Sequence, residues 1–433
     1  MTALIHVDTR YKFVSPHRGG FWPRVFRSLA PMYLRRRYGI TAVEVRGADT
    51  LQELHNSGAG VLLAPNHCRM SDAIVLQSLS AATRQPFFVM ASSHLFRGGR
   101  FTKWALRRMG AFSIYREGID RQAVEEGIDI LARAERPLVI FPEGALSTAN
   151  DSLNELQEGV SFIARSAAAR IQRQQSSASD KNAALPVNSA RPQTATGVSV
   201  LPVAIRYVFE GDVEETAGRV LAGIEKRLSW GSQSHLPLLD RILRVGSALL
   251  TLKEVEFLGS PNSGPLAARQ QMLIDHLLHV PEQEWLRKKG SGSVIARVRD
   301  LRRAIVAEMV EAQLPAAEMN RRWEQLKHAE LAQAISLYPA DYVANHPTAE
   351  RILETIERFH EHLTGESITC GPLKAIVEVG QPLPVSPRRE RGSDGDPLLQ
   401  RLDGSLRELL RHTAGECRLD PRSAASRPHG SAH

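Results

Sequence analysis

Apolar positions along the chain fall into two kinds of stretch. Short apolar runs bounded by turn residues predict strands at AVEVRG (42–47), GVLLAP (60–65), FFVMA (87–91), FSIYR (112–116), PLVIFPEG (137–144) and VSVLPVAIRY (198–207). Between them, helical spacing runs through 72–82, 101–109, 118–134 and 152–170. Strands alternating with helices predict an α/β fold, a mostly parallel sheet flanked by helices. Residues 210–365 are then helical in pattern almost throughout, and a strand pattern returns in LKAIVEVGQPLPV (373–385), followed by the helix DPLLQRLDGSLRELL (396–410). The organisation predicted is an N-terminal segment 1–40, a core over 41–209, and a large helical insertion over 210–365 before the closing strand. The closing strand and helix take 366–411, and a disordered tail takes 412–433. The polar, Ser/Ala/Gln-rich stretch 172–197 reads as a flexible loop, and no internal repeat stands out.

Composition narrows this picture only a little. A chain of 433 residues with 42% hydrophobic and 24% charged content is an ordinary globular protein. No stretch approaches the roughly 18 uninterrupted apolar residues of a spanning helix. The start, MTALIHVDTRYKF, lacks the apolar centre of a secretory signal, and Cys68, Cys370 and Cys417 show neither a disulfide framework nor metal-ligand spacing. A reducing cytosol and no metal are the expectations.

Charge changes the picture more. The net charge is +8, and residues 1–40 hold Arg10, Lys12, Arg18, Arg24, Arg27, Arg35, Arg36 and Arg37 against one acid, Asp8. FWPRVFRSLAPMYLRRRYGI mixes these cations with Phe21, Trp22, Phe26, Leu29, Met32, Tyr33 and Leu34. That mixture fits either a helix lying in a lipid interface or one packed on the protein's own sheet. Pro23 and Pro31 are expected to break any long helix here. Arg100, Lys103 and Arg107, at helical spacing, read as a solvated face. Zinc-finger, RNP-type and KH-type motifs are absent from the sequence, so nucleic acid is not an expected partner.

The candidate chemistry begins at PNHCRMSDA (65–73), where a buried strand ends in Asn66-His67 and a carboxylate, Asp72, follows five residues after the imidazole. One reading is a turn in which Ser71 or Asp72 caps the next helix. The other is a catalytic pair at the carboxyl end of a strand, where open α/β sheets build their sites. GAFSIYRE (110–117) ends a strand in Arg116, whose guanidinium suits an anionic group. IFPEGALS (140–147) repeats the strand-then-turn arrangement with Glu143 and Gly144. VLPVAIRY (200–207) looks like an interior strand, except that Pro202 places it near an edge, a bulge or an end.

These residues resemble the glycerolipid acyltransferases, the lysophosphatidic acid acyltransferase-like family. Its four ordered blocks are matched by Asn66-His67-x4-Asp72, Gly110 to Arg116, Phe141-Pro142-Glu143-Gly144, and Val200-Leu201-Pro202-Val203. The resemblance covers about 40–210, and VEVGQPLPV looks like the family's closing strand, with KEVEFLGSP (253–261) as a rival. It implies acyl transfer from an acyl thioester, acyl-CoA or acyl carrier protein, to the hydroxyl of a glycerol-phosphate or lysophospholipid acceptor, with no further cofactor. His67 is then the base and Asp72 its orienting partner. Asn66, Arg69, Gly110, Arg116, Glu143 and Gly144 are implied in substrate binding, Arg116 at the acceptor's phosphate and Glu143 and Gly144 around the acceptor. A place at the inner face of a membrane, on anionic lipid, follows from lipid substrates.

The chemistry agrees with the residue types. An alcohol attacking a thioester must lose its proton, which a neutral imidazole takes near pH 7 while a carboxylate fixes its tautomer. Two departures stand out. The family usually continues Pro-Glu-Gly with Thr-Arg-Ser, whereas this chain has Ala145-Leu146-Ser147. Leu146 cannot bind phosphate, so either Arg69 substitutes or the acceptor is not a phosphomonoester. Cys68 beside His67 is the other, and adjacent residues rarely meet as nucleophile and base. A non-catalytic lipid-binding or scaffold protein remains an alternative. A serine hydrolase is excluded by the lack of Gly-x-Ser-x-Gly, and a zinc hydrolase by the lack of His-Glu-x-x-His, since His360 and His362 point to different faces of a helix.

Overall fold

The computed structural model describes residues 11–118, 120–181, 195–287, 290, 292–311, 314–389 and 395–417. They fold as two compact units, one of residues 11–208 and 373–415, the other with 209–372 as its body. In chain order the first unit contains α1 (Phe21–Tyr38), β1 (Ile40–Arg46), α2 (Ala48–Asn56), β2 (Gly60–Pro65), α3 (Asp72–Ala82) and β3 (Phe88–Ser92). It continues with α4 (Arg100–Arg108), β4 (Ala111–Ile114), α5 (Arg121–Ala132), β5 (Leu138–Val139), α6 (Gly159–Lys181) and β6 (Val198–Phe209). The second unit holds α7 (Val213–Arg227), α8 (Leu238–Leu258), α9 (Leu266–Pro281), α10 (Val294–Glu311), α11 (Ala316–Ser336), α12 (Tyr342–Asn345) and α13 (Ala349–Thr364). The chain then returns to the first unit as β7 (Leu373–Val379), β8 (Leu383–Pro384) and α14 (Pro397–Ala414).

The sheet order is β1-β7-β6-β2-β5-β3-β4, with β8 antiparallel on β6. All six residues of β2 are buried, which is why GVLLAP reads as an unbroken apolar run rather than an alternating one. β2 pairs in parallel with β6 from Gly60↔Val198 to Pro65↔Val203 and with β5 on its other side, and β3 pairs in parallel with both β5 and β4. Leu62, Phe88, Phe112 and Leu138 of the sheet pack against Ile128 and Leu131 of α5, Ile163 of α6 and Leu402 of α14. Each such side chain contributes roughly 1.5–3 kcal/mol. These five parallel strands, β2 to β6, thus end at one edge, and that edge carries the polar loops.

Several expectations need correction. Residues 172–181, read as loop, continue α6, and 182–194 lie outside the described residues. Gln is a good helix former, and the polar residues 172–177 are exposed on the helix rather than in a loop. The tail read from His412 is still helix to Ala414, with Thr413 fully buried, while 418–433 lie outside the described residues. Arg206 explains that helix end: buried in β6, it donates to the Leu410 carbonyl (2.7 Å), to Thr413 (2.9 Å) and to Asp151 (2.6 Å). The prolines do not break α1. Pro23 falls in its first turn, where no N–H bond is lost, and Pro31 lies on its exposed face. Pro202 sits within β6 opposite the gap between β7 and β8, where the Gly380 N–H donates to its carbonyl (2.9 Å). KEVEFL of KEVEFLGSP forms the last turns of α8 and Gly259 its C-cap, which leaves β7 as the closing strand.

The second unit holds a repeat that apolar periodicity alone does not reveal. Arg241, Arg269 and Arg297 follow at equal spacing, each the fourth residue of its helix, α8, α9 and α10. Each pairs, buried, with a glutamate near the end of the preceding helical stretch: Glu225 (2.8 Å), Glu254 (2.6 Å) and Glu282 (2.7 Å). Buried residues recur at matching positions after each arginine: Val245, Leu249 and Leu250; Leu273, Leu277 and Leu278; Leu301, Ile305 and Val306. An aromatic follows three residues after two of the glutamates, Phe257 and Trp285, and both pack on the same cluster. The stretch from α7 to α10 is therefore a set of related helices, each of its three turns closed by one Glu–Arg clamp.

Candidate active site

His67 and Asp72 meet at the carboxyl end of β2. Nδ1 of His67 lies 2.8 Å from Oδ2 of Asp72. Asp72 is fully buried, whereas the His67 side chain remains 19% exposed, and Nε2 has no hydrogen-bond partner among the described residues. The ring stacks on Phe141, centroids 4.0 Å apart. Ser71 forms no side-chain cap on α3, and Asp72 instead accepts the Arg69 N–H on Oδ2 (2.9 Å) and the Tyr207 hydroxyl on Oδ1 (2.6 Å). The arrangement is a histidine held at one nitrogen and open at the other, rather than a capped turn.

Two asparagines shape the loop that carries the pair. Backbone pairing between β2 and β6 ends as Asn66 N–H reaches the Val203 carbonyl. Beyond that point the Asn66 amide replaces the missing strand, donating to the Ile205 carbonyl (3.1 Å) and accepting its N–H (2.7 Å). Asn150 does the same at Tyr207, at 2.7 and 3.0 Å. The chain is thereby free to leave the sheet at His67 without orphaning the β6 edge. Asn66 is thus an anchor, fully buried with both amide ends on the main chain. Cys68 is also buried, its Sγ facing the Ile205 carbonyl at 3.7 Å, which removes it as a nucleophile.

The turn after β5 braces His67 from below. Glu143, 1% exposed, accepts the His67 N–H on Oε1 (2.7 Å) and the Asn154 N–H on Oε2 (2.8 Å). Burial pushes its carboxyl up to about 8; the two N–H donors oppose this and the nearby Asp72 charge adds to it. Ser147 N–H donates to the His67 carbonyl (2.7 Å), closing the turn on the same residue. Gly144, at φ +65°, leaves its carbonyl to the Arg116 guanidinium, so two of the expected substrate residues are brought together. Both carboxyl oxygens of Glu143 are occupied with backbone N–H groups.

Gly110 is the residue the structure does not bring to the site. It opens β4, at the opposite edge of the sheet from His67. Its φ of +96° and the 2.5 Å that would separate a Cβ from the Phe87 carbonyl explain the glycine. Arg69 is near the pair, with its guanidinium 5.4 Å from the centre of the Tyr207 ring. Leu146 is half-buried. Tyr207 is not singled out by the sequence, and Phe141 only as the first residue of its block; the signal for Tyr207 was a phenol at the carboxyl end of an interior strand, on the side of the sheet edge that carries His67.

Residues 42–206 match the family model described as Acyltransferase. This segment is an acyltransferase-family domain. Over 118 residues the chain is 30% identical to a protein of Streptococcus pneumoniae (strain ATCC BAA-255 / R6) named 1-acyl-sn-glycerol-3-phosphate acyltransferase. The aligned part is 27% of this chain and 38% of that protein, so the chain spans well under half of the relative it matches. The acyltransferase domain contains His67, Asp72, Arg116, Glu143 and all but the last residues of β6, and it ends one residue before Tyr207.

Proposed function

We propose that this chain transfers a fatty acyl group from an acyl thioester to the hydroxyl of a glycerol-phosphate or lysophospholipid acceptor. The observation that carries this is the His67–Asp72 pair, 2.8 Å apart, with Nε2 unpartnered among the described residues. In the reaction Nε2 takes the acceptor's proton as its oxygen attacks the thioester carbon. Asp72 holds Nδ1–H and stabilises the imidazolium, which then gives the proton to the departing thiolate. The thioester is already activated, so acyl-CoA or acyl carrier protein supplies the acyl group directly and no covalent intermediate with the protein is needed.

Arg116, fixed beside Gly144 past the end of β4, supplies a cation at the same sheet edge for an acceptor phosphate. Turnover of phosphorylated and neutral lysolipids with an acyl thioester, by the native chain and by Arg116→Ala, tests this. The variant is expected to raise KM for the phosphorylated acceptor roughly tenfold or more while leaving kcat and neutral acceptors little changed. Equal effects on both acceptors would remove the phosphate from the reading, and no turnover with any acceptor would favour a lipid-binding protein without catalysis.

Lipid substrates bring the chain to a bilayer. Among the described residues no helix is long and apolar enough to cross a membrane. On α1, Leu29, Met32 and Tyr33 are exposed, and Phe21 is 66% exposed. Trp22 and Phe26 of α1 meet Trp104 of α4, and Phe101, 75% exposed, stacks on the same indole. Arg108 lies over the Trp22 and Trp104 rings, while Arg100, Lys103 and Arg107 of the same helix are exposed. Exposed rings among cations suit an anionic headgroup layer. Because Ala30 and Leu34 are buried and Arg27 bonds the Ser80 carbonyl, deleting α1 would disturb the core, so point variants are the better probe. Phe21→Ser with Phe101→Ser is expected to weaken binding to anionic vesicles several-fold, and native binding should fall in high salt. Undiminished, salt-insensitive binding by the double variant would place the docking surface elsewhere.

A further inference from the structure

We propose that Tyr207 is a positioning residue of the transfer reaction, completing a buried relay Ser71–Tyr207–Asp72–His67 that sets how readily His67 gives up its proton. The inference rests on His67 acting as general base. A phenol buried in a strand needs partners for its hydroxyl, and Tyr207, fully buried, finds two: Asp72 Oδ1 at 2.6 Å and Ser71 Oγ at 2.9 Å. A carboxylate only accepts, so the phenol donates to Asp72, and the Ser71 hydroxyl donates to the phenol oxygen. Burial, together with the adjacent Asp72 charge, pushes the phenol well above its ordinary range, which keeps it a donor.

The effect on His67 follows from charge. Asp72 receives the His67 ring and the Arg69 N–H on Oδ2, and Tyr207 on Oδ1, where the Cys68 thiol is distant at 3.9 Å. The phenol draws negative charge toward Oδ1 and leaves Oδ2 a weaker partner for the imidazolium, so the proton taken from the acceptor is released more easily. The other charged groups nearby are committed elsewhere. Glu143 serves the His67 and Asn154 N–H groups, Arg69 lies over the Tyr207 ring, Arg116 bonds Gly144, and Arg206 bonds Asp151. Among the described side chains, Tyr207 is the strong donor to Oδ1.

Tyr207→Phe removes one oxygen and keeps the ring. The acidic limb of its kcat/KM profile is expected to move to higher pH by roughly one unit, with kcat lower by about tenfold. The His67 ring resonance, assigned by its loss in His67→Gln, should show the same upward move in its titration midpoint with no substrate present. In an Asp72→Asn background Tyr207→Phe should add no further move. A folded Tyr207→Phe protein whose ring titration and acidic limb both match the native chain overturns the relay. Should that variant not fold, Ser71→Ala leaves the ring packed and is expected to give a smaller shift in the same direction; no shift overturns the relay equally. A native chain that transfers no acyl group would instead remove the acyl-transfer reading, and the ring titration would still decide the relay.

Discussion

His67→Ala is expected to lower acyl transfer by at least ~10²-fold with little change in melting temperature. The imidazole has one nitrogen held by a buried carboxylate and the other open, so its loss leaves the acceptor hydroxyl without a base. The side chain is also partly exposed, Asp72 keeps the Arg69 N–H and the Tyr207 hydroxyl as donors when the ring is removed, and Glu143 holds the backbone N–H and not the ring, so β2, α3 and the Glu143 brace stay intact. Asp72→Asn should cost activity too, and in addition stability, since it alters a buried acceptor shared by His67, Arg69 and Tyr207. Steady-state rates alongside thermal melts separate the two. Full activity in a folded His67→Ala protein would end the mechanism as stated.

Glu143→Ala should have the largest combined effect. Two buried N–H groups, of His67 and Asn154, would lose their acceptor together, at about 1–3 kcal/mol each. The backbone of His67 would also be released, and a shift of about 1 Å in a reacting group can cost on the order of 10²-fold in rate. Glu143→Gln, which keeps one carbonyl oxygen, should fall between the native chain and Ala. The carboxyl also predicts a pH dependence. Its folded value of about 8 lies above the ordinary 4.5, so between these limits the folded chain holds a proton that the unfolded chain has released. The stability it contributes is full below about 4.5 and is lost as pH rises through about 8, by at most about 1.4 kcal/mol per pH unit. Glu143→Gln cannot titrate, so the melting-temperature gap between native chain and variant should narrow from pH 5 to pH 8. A gap that widens over that range contradicts this account of Glu143.

How much of this was legible in the sequence depends on which forces wrote it. β2 and α3 were read with their observed limits, because an apolar run ending in a turn and a helix beginning at Asp72 are both local signals. β5 was read too long. Phe141 leaves the strand to stack on His67 and Pro142 has no N–H to pair, so only Leu138–Val139 remain, with Ile140 N–H still reaching the Leu63 carbonyl. α6 was expected from 152 but starts at Gly159, since the intervening residues satisfy the turn: Asn154 serves Glu143 and Gln157 N–H serves the Pro142 carbonyl. These are tertiary demands, invisible to periodicity. The Glu–Arg clamps escaped for a related reason, being polar pairs at helix ends that a search for apolar repeats passes over. At the site, resemblance to the acyltransferases brought out His67, Asp72, Arg116 and Glu143, but it could not distinguish residues that face a substrate from residues that hold the loop. Asn66 and Glu143 bond the main chain of the loop, and Gly110 turns the chain into β4 at the far edge.

The measurement that bears most directly on acyl transfer is the ratio of thiol released to lipid ester formed, with purified chain, an acyl thioester and a lysolipid acceptor. Acyl transfer predicts one thiol per ester and almost no thiol when the acceptor hydroxyl is omitted. Thiol release that proceeds equally without acceptor would make the chain a thioester hydrolase and contradict the account.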